Sequence, residues 1–251
     1  MAALRQAVAR HGGAPADHVG NSAAMITAHP RGAHPRGATA QPPSPQPAPD
    51  SLSPEAFRIL ARLARHWLRR GIRRRDAVGT ELRRIDPLID QARETGKPAS
   101  PTYHPVLRHL TSALEGFNGL ELLAQSGPLL SWRDAGGPPG AAPRTQLARA
   151  EIIGPEAPLR HPDLTLGFLL VAPHADHAAP GSPATELHHV VSGRALWSVG
   201  AATEERRPGD FVLHPDSIRH AIRTADDPLL TIYAVAGNRP VPPGTTPHES
   251  V

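Results

Sequence analysis

No cysteine occurs in the 251 residues, so disulfides and thiolate ligands are both excluded. Any bound metal must therefore be held by histidine, carboxylate or water. Aromatic residues are scarce at 4%, and no apolar run approaches the length that crosses a bilayer. The opening Met1-Ala-Ala-Leu-Arg-Gln-Ala-Val8 lacks the continuous apolar core of a secretory signal, which makes the cytoplasm the expected compartment and leaves no membrane partner. Large apolar side chains are also nearly missing from residues 1–50, where Pro, Gly, Ala, His and Ser dominate and Ala28-His-Pro-Arg-Gly-Ala-His-Pro-Arg-Gly-Ala38 is a near-repeat. Such a segment buries too little surface to offset the entropy of ordering it, so a disordered tail is expected there.

What is present fits one domain of ordinary size beyond that tail, with 39% hydrophobic residues overall. Residues 51–128 read as helical. Ser53 is an N-cap, Pro54 takes the first helical position, and Phe57, Leu60, Ala61, Ala64, Trp67 and Leu68 make one apolar face that ends at Gly71. A second helix is expected from near Thr80 to Glu94, with Leu82, Ile85 and Ile89 inward and a bend or break at Pro87. A third follows Pro105, carrying Val106, Leu107, Leu110 and Leu114. Residues 129–240 read as the β part. Their first stretch is broken by Gly136-Gly-Pro-Pro-Gly-Ala-Ala-Pro143, which must be loop, and from Leu164 short strands with turn punctuation predict a small antiparallel barrel. Residues 241–251 are expected to form a second disordered tail.

Arg65-His-Trp-Leu-Arg-Arg-Gly-Ile-Arg-Arg-Arg75 is a basic cluster in a chain of sequence pI near 10.5, yet the formal net charge is only +4 and no nucleic-acid-binding motif accompanies it. It reads as a solvated helix face, and nucleic acid is not an expected partner.

The centre of the chain is Glu186-Leu-His-His-Val-Val-Ser-Gly-Arg-Ala-Leu-Trp197. Its period of two sets Glu186, His188 and Val190 on one face and Leu187, His189 and Val191 on the other, and Ser192-Gly193 supplies a turn. Pro208-Gly-Asp-Phe-Val-Leu-His-Pro-Asp-Ser-Ile-Arg-His220 reads as turn, short strand, turn and a further strand. Two hairpins would thus bring Glu186, His188 and His220 towards one pocket. Asp210 and His214 are accounted for by a Gly-Asp and a His-Pro turn, and Trp197 and Tyr233 by pocket wall or core. His174 and His189 read as polar loop or surface residues.

These spacings resemble a known family. Glu186 to Gly193 looks like the end of the first cupin motif, and Gly209, Pro215, Ser217 and His220 fall at the spacings of the second. Glu151-Ile-Ile-Gly-Pro155, Leu166-Gly-Phe-Leu-Leu-Val-Ala-Pro173, Pro183-Ala-Thr-Glu-Leu187, Val191-Ser-Gly-Arg-Ala-Leu-Trp197 and His220-Ala-Ile-Arg-Thr224 resemble the cupin-type dimethylsulfoniopropionate lyases, which use a divalent metal to split that substrate into dimethyl sulfide and acrylate. The resemblance implies a mainly β fold with α: a C-terminal cupin double-stranded β-helix barrel behind a helical layer. It also implies a carbon–sulfur lyase acting on a small carboxylate with Zn, Fe or Mn, and it leaves room for a homodimer.

The sequence departs from the family where the chemistry sits. The family's His-x-His positions are Pro180 and Ser182 here, and its two tyrosines are replaced by His177 and His188. The expected metal set is therefore Glu186, His188 and His220, with His177 and His188 as the catalytic histidines and weakened activity. Two other readings stay open: a metal-cupin enzyme acting on another small carboxylate, and a non-catalytic cupin that binds a small ligand.

Overall fold

Ser53 opens the first helix, α1 (Pro54–Leu68), by accepting a hydrogen bond from the Ala56 N–H, with Pro54 at the first turn as expected. The structure, a computed structural model, describes residues 51–95, 100–115, 121–135 and 146–237; the tails expected at 1–50 and 241–251 and the loop at 136–143 lie outside the described residues. The second helix, α2 (Ala77–Gln91), starts earlier than its periodicity suggests because the Asp76 carboxylate caps the Gly79 N–H at 3.0 Å. It also runs through Pro87. A proline inside a helix costs about 3 kcal/mol, but Ile85 and Ile89 on either side of it are buried in the core, and that packing holds the helix together. Glu94, placed in this helix by the sequence, instead belongs to a two-residue strand. After Pro105 a 3₁₀ turn (Pro105–His109) leads into α3 (Leu110–Leu114), and α4 (Glu121–Ser126) follows.

Arg65 ties the two long helices together. Its guanidinium donates to both oxygens of Asp86 at 2.7 and 2.9 Å and to Asp90 at 2.7 Å. The bond to Arg65 holds the Asp86 carboxyl below the usual carboxylate range. Part of the basic cluster is thus engaged within the fold: Arg74 pairs with Asp76, and Arg70 lies over the Trp67 ring. Arg65→Ala is expected to lower stability by about 2 kcal/mol at neutral pH, the scale of hydrogen bonds to charged groups. Because the folded Asp86 carboxyl titrates below its unfolded value near 3.9, this contribution is present above about pH 4 and is lost as the pH falls further. Urea unfolding of both proteins at pH 7 and pH 3 measures it, and an equal difference at the two pH values would contradict it.

Among the described residues twelve strands follow or interleave: β1 (Arg93–Glu94), β2 (Trp132–Asp134), β3 (Leu147–Gly154), β4 (Leu159–Arg160), β5 (Leu164–Val171), β6 (Asp176–Ala179), β7 (Glu186–Ser192), β8 (Ala195–Val199), β9 (Ala202–Arg206), β10 (Phe211–His214), β11 (His220–Thr224) and β12 (Leu229–Ala236). They make two sheets, a larger one ordered β1-β4-β3-β5-β12-β7-β10 with β2 on β3, and a smaller one ordered β6-β11-β8-β9. From β5 onward the chain passes back and forth between them, as a double-stranded β-helix does. Among the described strands the sheets face each other without hydrogen-bonded closure, so the architecture is the expected cupin type but not a closed ring. Gly193, at φ +76, makes the β7–β8 turn; a Cβ there would run into the Pro228 carbonyl.

Side-chain alternation sorts the large sheet's two faces. Leu166, Phe168, Leu170, Leu187, Ile232 and Ala234 point to the helices and share one core with Phe57, Leu60, Ala64, Leu82 and Ile85. The opposite face meets the small sheet, where Leu169, Val171, Val190, Trp197, Val212, Ile222 and Tyr233 form the second core. The candidate site lies on that inner face. The sequence missed β3, reading its stretch as short runs among loops; a register shift between Glu151 and Ile153 interrupts its alternation.

Candidate functional site

β7 carries the first two groups. Glu186 and His188 share the inner face as their parity requires, and both are buried. The register of β7 with β10 sets His214 directly opposite Glu186, and the register with β12 sets Tyr233 opposite His188. Across the interior, His220 begins β11. Glu186, His214 and His220 each offer a ligand atom, and the three atoms lie within 4.8 Å of one another. His214 and His220 stack with ring centroids 3.9 Å apart and planes 20° apart. Two of the three expected metal residues are thus brought together, and the third member of the group is His214, which the sequence assigned to a turn. The signal was available: Val212 and His214 share one parity of a short strand, and that parity faces inward.

His188 stands beside this group. Its Nε2 is 2.9 Å from Glu186 Oε1 without hydrogen-bond geometry, its Nδ1 is 3.2 Å from Thr231 Oγ1, and its ring lies 5.0 Å from those of Trp197 and His214. His177 is half-buried on β6, opposite Ile222 and therefore on the inner face of the small sheet, outside the close group. Pro180 is exposed, and Ser182 is committed to its own turn, its Oγ accepting from the Ala184 N–H and its carbonyl from the Ser217 N–H. Neither joins the cluster. His189, read from sequence as a polar loop or surface residue, is fully buried under α1 instead.

Arg149, on the strand the sequence missed, supplies the site's cation. Its Nη2 donates to Glu186 Oε1 at 2.6 Å, and its guanidinium lies 4.8 Å from the centre of the Tyr233 ring. Its Nε is buried with no hydrogen-bond partner. Burial pushes the Glu186 carboxyl up, but His188 and Arg149 outweigh it and hold the group well below the usual range. Burial drives the His214 imidazole down to about 2, helped by His188 and His220. His220 is lowered by burial, against the pull of Glu186. Burial pushes the Tyr233 phenol up, so its hydroxyl stays protonated, and it too has no partner. The result is an ionised carboxylate beside neutral imidazoles, which is the protonation state in which these groups ligate a metal. Two imidazoles and one carboxylate suit Zn or Fe. Among the described residues the buried Nδ1 atoms of His214 and His220 have no hydrogen-bond partner.

A candidate dimethylsulfoniopropionate lyase of Cereibacter sphaeroides, DddL, is 30% identical over 158 residues, covering 60% of this chain and 67% of that protein. Among solved structures, one from a study of the DMSP lyases RdDddP and RnDddQII superposes with a TM-score of 0.60 at 25% identity, covering 74% of this chain and 95% of that one. DMSP lyase DddQ from Ruegeria pomeroyi DSS-3 has the same fold, with a TM-score of 0.58 at 20% identity and coverage of 74% and 93%. The dimethylsulfoniopropionate lyase family model matches residues 78–231, more than half of the sequence and every residue of the close group. The chain belongs to the dimethylsulfoniopropionate lyase family.

Proposed function

We propose that this protein cleaves dimethylsulfoniopropionate to dimethyl sulfide and acrylate with a divalent metal, Zn, Fe or Mn, held by Glu186, His214 and His220. The observation that carries the reading is the convergence of those three buried ligand atoms in the interior of a chain of this family. When bound, the metal supplies Lewis acidity that makes the proton alpha to the substrate carboxylate easier to remove.

The chain's own groups do the rest. Arg149 anchors the carboxylate end, since its buried Nε–H has no partner among the described residues. His188 is the base, buried on the inner face with its Nε2 2.9 Å from Glu186 Oε1 and its Nδ1 3.2 Å from Thr231 Oγ1. It takes the alpha proton while the Cα–H electron pair forms the new double bond. The Cβ–S bond breaks with its electrons on sulfur, so the sulfonium leaves as neutral dimethyl sulfide. His177, on the facing wall formed by the small sheet, is the second position for a base. Because the family's two histidine positions are Pro180 and Ser182, metal affinity and turnover are expected to be lower than the intact motif would give.

Headspace gas chromatography on chelator-stripped protein, with Zn, Fe or Mn added back, tests this. Dimethyl sulfide should appear only with metal and disappear in His220→Ala. No release with any of the three metals, or release that survives His220→Ala, would overturn the proposal.

A further inference from the structure

The Trp197 indole Nε1 donates to His214 Nε2 at 2.6 Å, and both side chains are buried. An indole N–H can only donate, so that imidazole nitrogen must be presenting its lone pair. A neutral imidazole has a single such nitrogen. Nδ1 therefore carries the proton, and it is the atom of His214 left buried without a partner. In this tautomer the ring cannot ligate through Nε2, whose lone pair the indole occupies, nor through Nδ1, which bears hydrogen. The stack on His220 and the ring contact with His188 hold the imidazole where it is.

We propose that Trp197 is a positioning residue that sets the metal affinity of this site: its indole N–H holds His214 in the tautomer that has no free lone pair, so a divalent cation can bind the ring only when the indole lets go. This rests on the reading of Glu186, His214 and His220 as the metal group. The hydrogen bond holds the ring in the tautomer that cannot ligate, so loading has to release the indole. Trp197 doubles as a built-in reporter of occupancy.

Trp197→Phe removes the donor and keeps an aromatic ring in the wall. Stripped wild-type protein and the variant are titrated with zinc against a chromophoric chelator, and circular dichroism confirms the fold. The variant should bind zinc about 10-fold more tightly, the scale of one hydrogen bond that loading no longer has to break. Equal or weaker binding by a folded variant overturns the proposal. Proton–nitrogen NMR of the wild type decides independently, even if the variant fails to fold. The metal-free protein should show His214 protonated at Nδ1, and zinc should shift the Trp197 indole N–H out of its hydrogen-bonded position. An Nε2–H tautomer, or an indole resonance that zinc leaves unmoved, overturns it. Zinc bound by neither protein would bring down the metal reading itself, whereas equal zinc affinities would bring down only the role of Trp197.

Discussion

Glu186→Gln is expected to cut metal affinity and dimethyl sulfide release by at least about 100-fold. Losing a partner that merely supports a ligand costs about 10- to 100-fold, and here the ligand itself is lost. The amide keeps the shape of the side chain but neither its charge nor its affinity for hard cations. Its second consequence is on stability. Arg149 Nη2 sits 2.6 Å from Glu186 Oε1, so the substitution leaves a partly buried guanidinium without its counter-charge. Uncompensated buried charges cost about 3–5 kcal/mol; the Arg149 side chain keeps 31% of its exposure, which brings the expectation to about 1–3 kcal/mol. Elemental analysis and chemical denaturation of the purified variant measure both effects. A variant that held stoichiometric metal would show that the carboxylate is not a ligand.

The pairing of Glu186 with His220 was legible in the sequence because both residues lie in strands whose alternation is clean and whose turns are marked by glycine or proline. His214 was not, for a local reason: the residue next to Pro215 has a sufficient explanation in the turn, and only the register of β10 against β7 shows that it also faces Glu186. Arg149 was lost with its whole strand. β3 alternates partly buried Arg149 and exposed Glu151 with buried Ala148, Ala150 and Ile152, but the shift near Ile153 and its small residues weaken a period-two signal. Pro87 misled in the other direction. Local propensity ends a helix there, and burial of Ile85 and Ile89 overrides it.

His189 carries the second large effect, and it concerns folding rather than chemistry. One residue from His188 but on the other face of β7, its ring is buried under α1, stacked on Phe211 at 4.4 Å and 5.8 Å from Trp67. Among the described residues neither ring nitrogen makes a well-formed hydrogen bond, and the Asp210 main chain is only a weak partner. Burial pushes the imidazole down to about 4, against the pull of the Asp210 main chain and with the help of the Arg70 charge. In the unfolded chain the same group titrates near 6.5. Between those two values the unfolded state binds more protons than the folded one, so stability rises with pH and is lost on acidification through that window. The difference corresponds to about 3 kcal/mol between neutral pH and pH 4. His189→Leu should therefore be more stable by about 1 kcal/mol at pH 7, where it removes two buried unsatisfied nitrogens. Its advantage should widen to about 3 kcal/mol at pH 4.5. Guanidinium unfolding of both proteins at pH 7 and pH 4.5 reads the two gaps. If they are equal, the imidazole is protonated or hydrated in the folded state, and the acid sensitivity of the fold lies elsewhere.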